Sequence, residues 1–107
     1  MTRKKVLRIL RKMRRVLGQK RYWCQHASAV DSHGDQCSVY DPRARRWCLV
    51  GGAFRAAPTM QEAHKLTCTL VEALPRRQDS LSIFNDTHSH AAVVKLLDRA
   101  IAKLEKP

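Results

Sequence analysis

Residues 3–21 read R-K-K-V-L-R-I-L-R-K-M-R-R-V-L-G-Q-K-R and hold ten of the chain's 21 Lys and Arg residues. No acid precedes Asp31. At about 100° per residue, Val6, Leu7, Ile9, Leu10, Met13, Val16 and Leu17 fall on one broad face. Lys4, Lys5, Arg8, Arg11, Lys12 and Arg15 fall opposite, with Arg3 and Arg14 at the border. The pattern predicts an amphipathic helix with an apolar side to bury and a cationic side to show. Gly18 is its expected stop.

Charge runs are often only solvated surface, and basic residues are good helix formers. Here, however, no Glu stands four residues away within the run to relieve the repulsion. An anionic partner explains such a face better: nucleic acid or a nucleoprotein first, with a membrane surface the weaker candidate. Lys20 and Arg21 extend the same cationic set.

The 107 residues suit one domain, long enough to bury about 65% of the unfolded surface. The net charge of +12 is local. Residues 1–30 supply ten positive charges and no negative ones, whereas residues 31–107 supply eleven positive and nine negative. No apolar run approaches the ~20 residues of a membrane span. The amino-terminal run lacks the continuous apolar core of a secretory signal, which points to a cytoplasmic protein. Cys24, Cys37, Cys48 and Cys68 form no C-x-x-C pair, so neither a zinc ribbon nor a thioredoxin-like motif is expected, and free thiols are.

Downstream, Tyr22–Val30 and Gln36–Tyr40 flank the turn-like Asp31-Ser32-His33-Gly34-Asp35 and read as a β-hairpin. Asp41-Pro42 reads as the cap and first residue of a helix running to about Ala56. Gly51 and Gly52 inside it imply close approach of another backbone, and Pro58 ends it. Thr59-Met60-Gln61-Glu62 is a capping box before a helix with Ala63, Leu66, Leu70, Val71 and Leu74 on one face. Pro75 stops it, and Arg76–Ser80 reads as a loop. Leu81, Ile83 and Phe84 suggest only a short extended segment. Asn85, Asp86 and Thr87 are candidate caps for a last helix reaching about Lys103, with Val93, Leu96, Leu97, Ala100, Ile101 and Leu104 at helical spacing.

Three stretches together resemble a family of small, uncharacterised bacterial and phage proteins, a domain of unknown function. Trp23-Cys24-Gln25 with Ala27, Ala29, Asp31 and Gly34 is similar to the family's W-x-Q-G-A-x-A-R-D-x-x-G pattern. Trp47-Cys48 with Gly51 is similar to its W-C-x-x-G-A. Phe84-Asn85-Asp86-Thr87-His88-Ser89-His90, leading into Leu97-Asp98-Arg99-Ala100-Ile101, resembles its F/W-N-D-T-H-x-H run and terminal helix. The chain departs from the pattern at His26, where the family has Gly, at Val30, where it has Arg, and at Gly52, where it has Ala. Ala92 stands near the place of an acid. The first helix is also more basic than the family's. The resemblance implies an architecture and carries no activity.

Residues 85–90 form the densest polar cluster, and capping explains them first. His88 and His90, if both helical, point about 200° apart and would not converge on a metal. A nucleophile reading would take Cys48 with His88 or His90 as base and Asp86 as orienter, but Cys48 sits in an apolar setting. Trp23 and Trp47 fit the core better than base stacking. Arg43, Arg45 and Arg46, and Arg76 with Arg77, are candidate extensions of the basic surface.

The expectation is a compact α+β domain of about four helices, mostly antiparallel, with one β-hairpin: a basic helix over 1–21, a hairpin over 22–40 and a helical body over 41–107. The expected function is a non-enzymatic, basic binding protein acting on nucleic acid or a nucleoprotein complex, without a cofactor or metal. Its contacts would be Lys4, Lys5, Arg8, Arg11, Lys12, Arg15, Lys20 and Arg21. The rival is a phage-type inhibitor or interaction protein docking on an acidic surface of a host complex. The third class is a cysteine- or metal-dependent enzyme.

Overall fold

Helix α1 spans Arg3–Leu17, capped by Thr2, whose hydroxyl accepts the Lys5 N–H at 3.2 Å. Gly18 closes it, donating its own N–H to Arg14 O. The apolar face is buried as the periodicity requires: Val6, Ile9, Leu10, Met13 and Leu17 all lie in the core. Leu7 is half-buried and Val16 reaches solvent, so the buried stripe is narrower than the apolar one. The computed structural model describes residues 2–76 and 80–106.

Four further α-helices follow among the described residues: α2 Leu49–Ala56, α3 Met60–Ala73, α4 Leu81–Thr87 and α5 His90–Glu105. Helix α1 packs against α5, α2 and α3, and α3 in turn against α5 and α2. Polar contacts from Arg3 to Leu104, Arg14 to Asp98 and Leu17 to His90 step in opposite directions along the two helices. Helices α1 and α5 therefore run antiparallel. The core between the helices is filled by Leu10, Leu17, Leu49, Leu66, Leu70, Phe84, Val93 and Leu97.

The helix count is five rather than four because residues 81–87 form a helix, not an extended segment. Ser80 caps it, accepting the Ile83 N–H at 3.0 Å, and Leu81 and Phe84 face the core at i,i+3 spacing. Ser89, not Asn85, Asp86 or Thr87, caps α5, taking the Ala92 N–H at 3.2 Å. The expected loop over 76–80 falls largely on residues 77–79, outside the described residues, and Arg77 with it.

A two-stranded antiparallel sheet is present, but its pairing differs from the expected hairpin. Strand β1, Ala29–Val30, pairs with β2, Arg46–Trp47, rather than with residues 36–40. The turn at Asp31–Asp35 does form, with Gly34 at φ 84° and the Asp31 carboxylate accepting the His33 and Asp35 N–H groups. It leaves one bridge, Val30 to Gln36, before the chain departs. Helix α2 correspondingly starts at Leu49 and not at Pro42. The Asp41 carboxylate is occupied in its own turn, accepting the Arg43 N–H at 2.8 Å and pairing with the Arg43 guanidinium. Cys48 serves as the cap of α2, its sulfur facing the Gly51 N–H at 3.3 Å.

The helical glycines have the packing reason their cost implied. A Cβ on Gly51 would collide with the Ser28 carbonyl oxygen, and one on Gly52 would lie 2.8 Å from Leu17 Cδ1. Ser28 O also accepts the Cys48 N–H at 3.2 Å, so this backbone is held against the start of α2. Thr59 caps α3 with Glu62 as anticipated, bonding both its N–H and a carboxylate oxygen. Val71, expected on the buried face, is exposed.

Candidate nucleic-acid interface

The outward side of α1 carries Lys4, Arg8, Arg11 and Arg15 at spacings of four, three and four residues. That spacing puts them on one stripe, about 16 Å long at 1.5 Å per residue. With Thr2 and Lys5 they line a single shallow groove. Tertiary packing neutralises part of the set in a way no local rule foretold. Lys5 Nζ lies 3.2 Å from Glu62 Oε2, a Coulombic contact without hydrogen-bond alignment. Arg11 pairs with Glu105, and Arg14 with Asp98 at 2.8 Å. Among the described residues, Lys4, Arg8, Lys12, Arg15, Lys20 and Arg21 have no carboxylate within ion-pair distance. All six are exposed.

Past the end of α1, Lys20 and Arg21 sit with Arg46 and His26 around a second, wider hollow. The Arg21 guanidinium lies over the Tyr22 ring at 4.9 Å and donates to Gln19 Oε1 at 2.9 Å, which orients it. Of the expected cluster Arg43, Arg45 and Arg46, only Arg46 lines this hollow. Arg43 is taken by Asp41, and Arg45 donates to the carbonyls of Pro42 and Ala44. Arg76 is exposed.

The residues of the three resembling stretches meet in a different place, beneath the first turn of α2. Asn85 is fully buried and bonds on both ends. Its Oδ1 accepts Trp23 Nε1–H at 2.7 Å and the Leu49 N–H at 3.1 Å; its Nδ2 donates to Cys24 O at 3.0 Å and Asp86 Oδ1 at 3.1 Å. Gln25 Nε2 donates to the carbonyls of Asn85 and His88, and the His26 N–H to Asp86 Oδ1 at 2.8 Å. His90 Nε2 bonds Leu17 O at 2.7 Å, and its ring lies 5.3 Å from that of Trp23. The His88 ring stacks on Phe84 at 4.0 Å, with Nδ1 3.0 Å from Phe84 O. These groups tie α4, α2 and the 23–26 segment together.

Most polar groups of this cluster already have protein partners. Burial pushes the Cys24 thiol up to about 11, and burial raises Cys48 as well, so neither is a ready thiolate. Cys48 Sγ faces the Gly51 N–H, and no histidine bonds it. His88 and His90 are engaged with different backbone carbonyls, and no group of three metal-ligating side chains occurs among the described residues. No helix among the described residues is long and apolar enough to cross a membrane.

A model of a family of unknown function, DUF6197, matches residues 1–103. The chain belongs to DUF6197. No curated protein and no solved structure matches it. In this DUF6197 member the central role of Asn85 was not foreseen: three polar residues in a row read as caps, and only the non-local partners Trp23, Cys24 and Leu49 reveal a cross-link. His26 is the other such residue. It stands at φ 67°, the left-handed region that favours glycine. His26 is the position at which the chain departs from the Gly of the resembling pattern, and a glycine would adopt this backbone without strain.

Proposed function

We propose that this DUF6197 protein is a non-enzymatic, basic binding protein whose α1 stripe contacts the phosphates of nucleic acid, bare or within a nucleoprotein complex. The observation that carries the reading is the exposed set Lys4, Arg8, Lys12 and Arg15, held in one rigid element without carboxylate partners among the described residues. The set is kept at a cost. Lys4–Arg8, Arg8–Lys12 and Arg11–Arg15 are like-charged i,i+4 pairs, each destabilising by a few tenths of a kcal/mol. Arg3, Lys4 and Lys5 also stand in the first turn, where no acid is present and the helix dipole disfavours cations. A helix serving only to bury Val6, Leu10 and Met13 has no need of this. A stripe of about 16 Å is long enough to reach more than one phosphate of a strand. Its contacts would give affinity with little sequence readout. The four free cysteines fit a reducing, cytoplasmic setting.

A second reading draws on the pairs Lys5–Glu62 and Arg11–Glu105, in which the same helix already receives carboxylates. A phage-type inhibitor docking on an acidic surface of a host complex would use the remaining cations likewise. Binding of labelled RNA and DNA across a salt series separates the two. On the nucleic-acid reading, affinity falls steeply with salt, and changing Lys4, Arg8 and Arg15 to Gln lowers the slope by about three units. No binding of either polymer near about 150 mM salt, or an unchanged slope in the variant, would put the protein-partner reading ahead.

A further inference from the structure

Between α1 and α2 lies a pocket of about 160 Å³. Its walls are Met13, Val16 and Leu17 from α1, Trp47 from β2, and Gly52 and Ala56 from α2. Lys12 and Arg55 form its rim. The Arg55 guanidinium lies 5.4 Å from the Trp47 ring centroid and is held there by the Val39 carbonyl at 3.0 Å. The Trp47 N–H is occupied by the same carbonyl at 3.2 Å, so the indole offers the pocket no free donor. Beside it, the missing side chain at Gly52 lets α2 approach Leu17 closely.

We propose that this pocket receives one unpaired nucleobase, which makes single-stranded nucleic acid the preferred ligand of the basic helix. The inference rests on the proposed phosphate-binding role of α1. Three observations point to a base. The volume is below the ~300–1,000 Å³ of pockets that enclose whole small ligands, and it suits a single base-sized group rather than a whole cofactor. Both rim groups are cations, which complement the phosphates on either side of an inserted base. Lys12 is also four residues from Arg8 and three from Arg15, so the rim continues the α1 stripe and a strand tracking the stripe passes the pocket mouth. An aromatic wall beside a cationic track is the arrangement by which single strands are held. The walls offer no free hydrogen-bonding group, so the base is accepted for its flat face and not for its identity. Duplex nucleic acid keeps its bases paired and would use the stripe alone.

The test measures binding of one labelled single strand and of the same sequence as duplex, with tryptophan emission followed in parallel. Trp23 borders the hollow beside Lys20 and Arg21, so the emission change that reports Trp47 is the part that Trp47→Phe abolishes. The single strand is expected to bind at least fivefold tighter than the duplex and to quench Trp47. Ala56→Leu fills the pocket without altering charge. It should weaken single-strand binding about fivefold or more and leave duplex binding unchanged. Equal binding of both forms with Trp47 emission unaffected would overturn the pocket assignment and leave the α1 reading standing. Loss of duplex binding as well, in the charge-neutral variant, would also overturn it. Failure of both polymers to bind the parent protein removes both proposals, and the pocket then passes to an apolar side chain of a protein partner.

Discussion

The outward stripe of α1 and the polar cluster around Asn85 are the two conspicuous polar features of the chain, and they are opposites. The stripe is chemically monotonous, exposed and largely without partners. The cluster is chemically diverse, with Asn, Asp, Gln, His and Cys side chains together, yet almost every group in it is engaged. Asn85 alone makes four hydrogen bonds, two accepted and two donated. Chemical variety in a short stretch looks like a catalytic site, but a buried polar group must first satisfy itself. In this molecule the varied cluster holds the fold, and the plain charge run is left exposed, where the proposed function places binding.

The largest effect should come from breaking the cluster at its centre. Asn85→Ala orphans the Trp23 and Leu49 N–H groups and the Cys24 carbonyl, and should cost at least ~3 kcal/mol in chemical denaturation. Loss of binding without loss of stability would reverse the comparison and make Asn85 a ligand contact. Next is Gly51→Ala, whose methyl meets the Ser28 carbonyl. Because the obstacle is backbone, a destabilisation of about 2–3 kcal/mol is expected. A neutral result would mean the 23–30 segment shifts easily, and that the cluster is not rigid.

A smaller effect of opposite sign is expected at His26. Its backbone carries the left-handed strain while its side chain is largely exposed, 3.7 Å from Asp86 at nearest approach. His26→Gly should raise stability by up to ~1 kcal/mol, because the His26 N–H to Asp86 bond survives. A drop in stability would show that the imidazole contributes to the cluster. The smallest effect belongs to the thiols. Exposed Cys68 should label first and without consequence for binding, half-buried Cys24 more slowly because burial raises its thiol, and buried Cys48 only on unfolding at mildly alkaline pH. Fast native labelling of Cys48 would restore a nucleophile role.

The parts of the fold legible from the chain are those specified within a few residues. The apolar faces of α1 and α5 follow from helical spacing, and the Thr59–Glu62 cap from its four-residue signature. Gly51 was legible as a point of backbone approach because a mid-helix glycine needs such a reason. What was missed depends on distant partners. Strand β1 has two residues and chooses Arg46–Trp47 over nearer neighbours, which alternation in so short a segment does not encode. Helix α4 has only seven residues, too few to show a period. Asn85 looked like a cap because its ties to Trp23 and Leu49 span 62 and 36 residues. At the candidate interface all eight cations were legible as charge. That Lys5 and Arg11 are answered by Glu62 and Glu105 was not, since those acids come from α3 and α5.

On the proposed reading, binding resides in the stripe and stability in the cluster. This division is tested most directly by one salt series on the Lys4→Gln, Arg8→Gln, Arg15→Gln variant, with its denaturation midpoint measured in the same buffers. The expected result is a midpoint equal to or above that of the parent, because repulsion is relieved, together with weaker nucleic-acid binding and a salt slope lower by about three units. A variant that binds both RNA and DNA as the parent does, with the same slope, would contradict it.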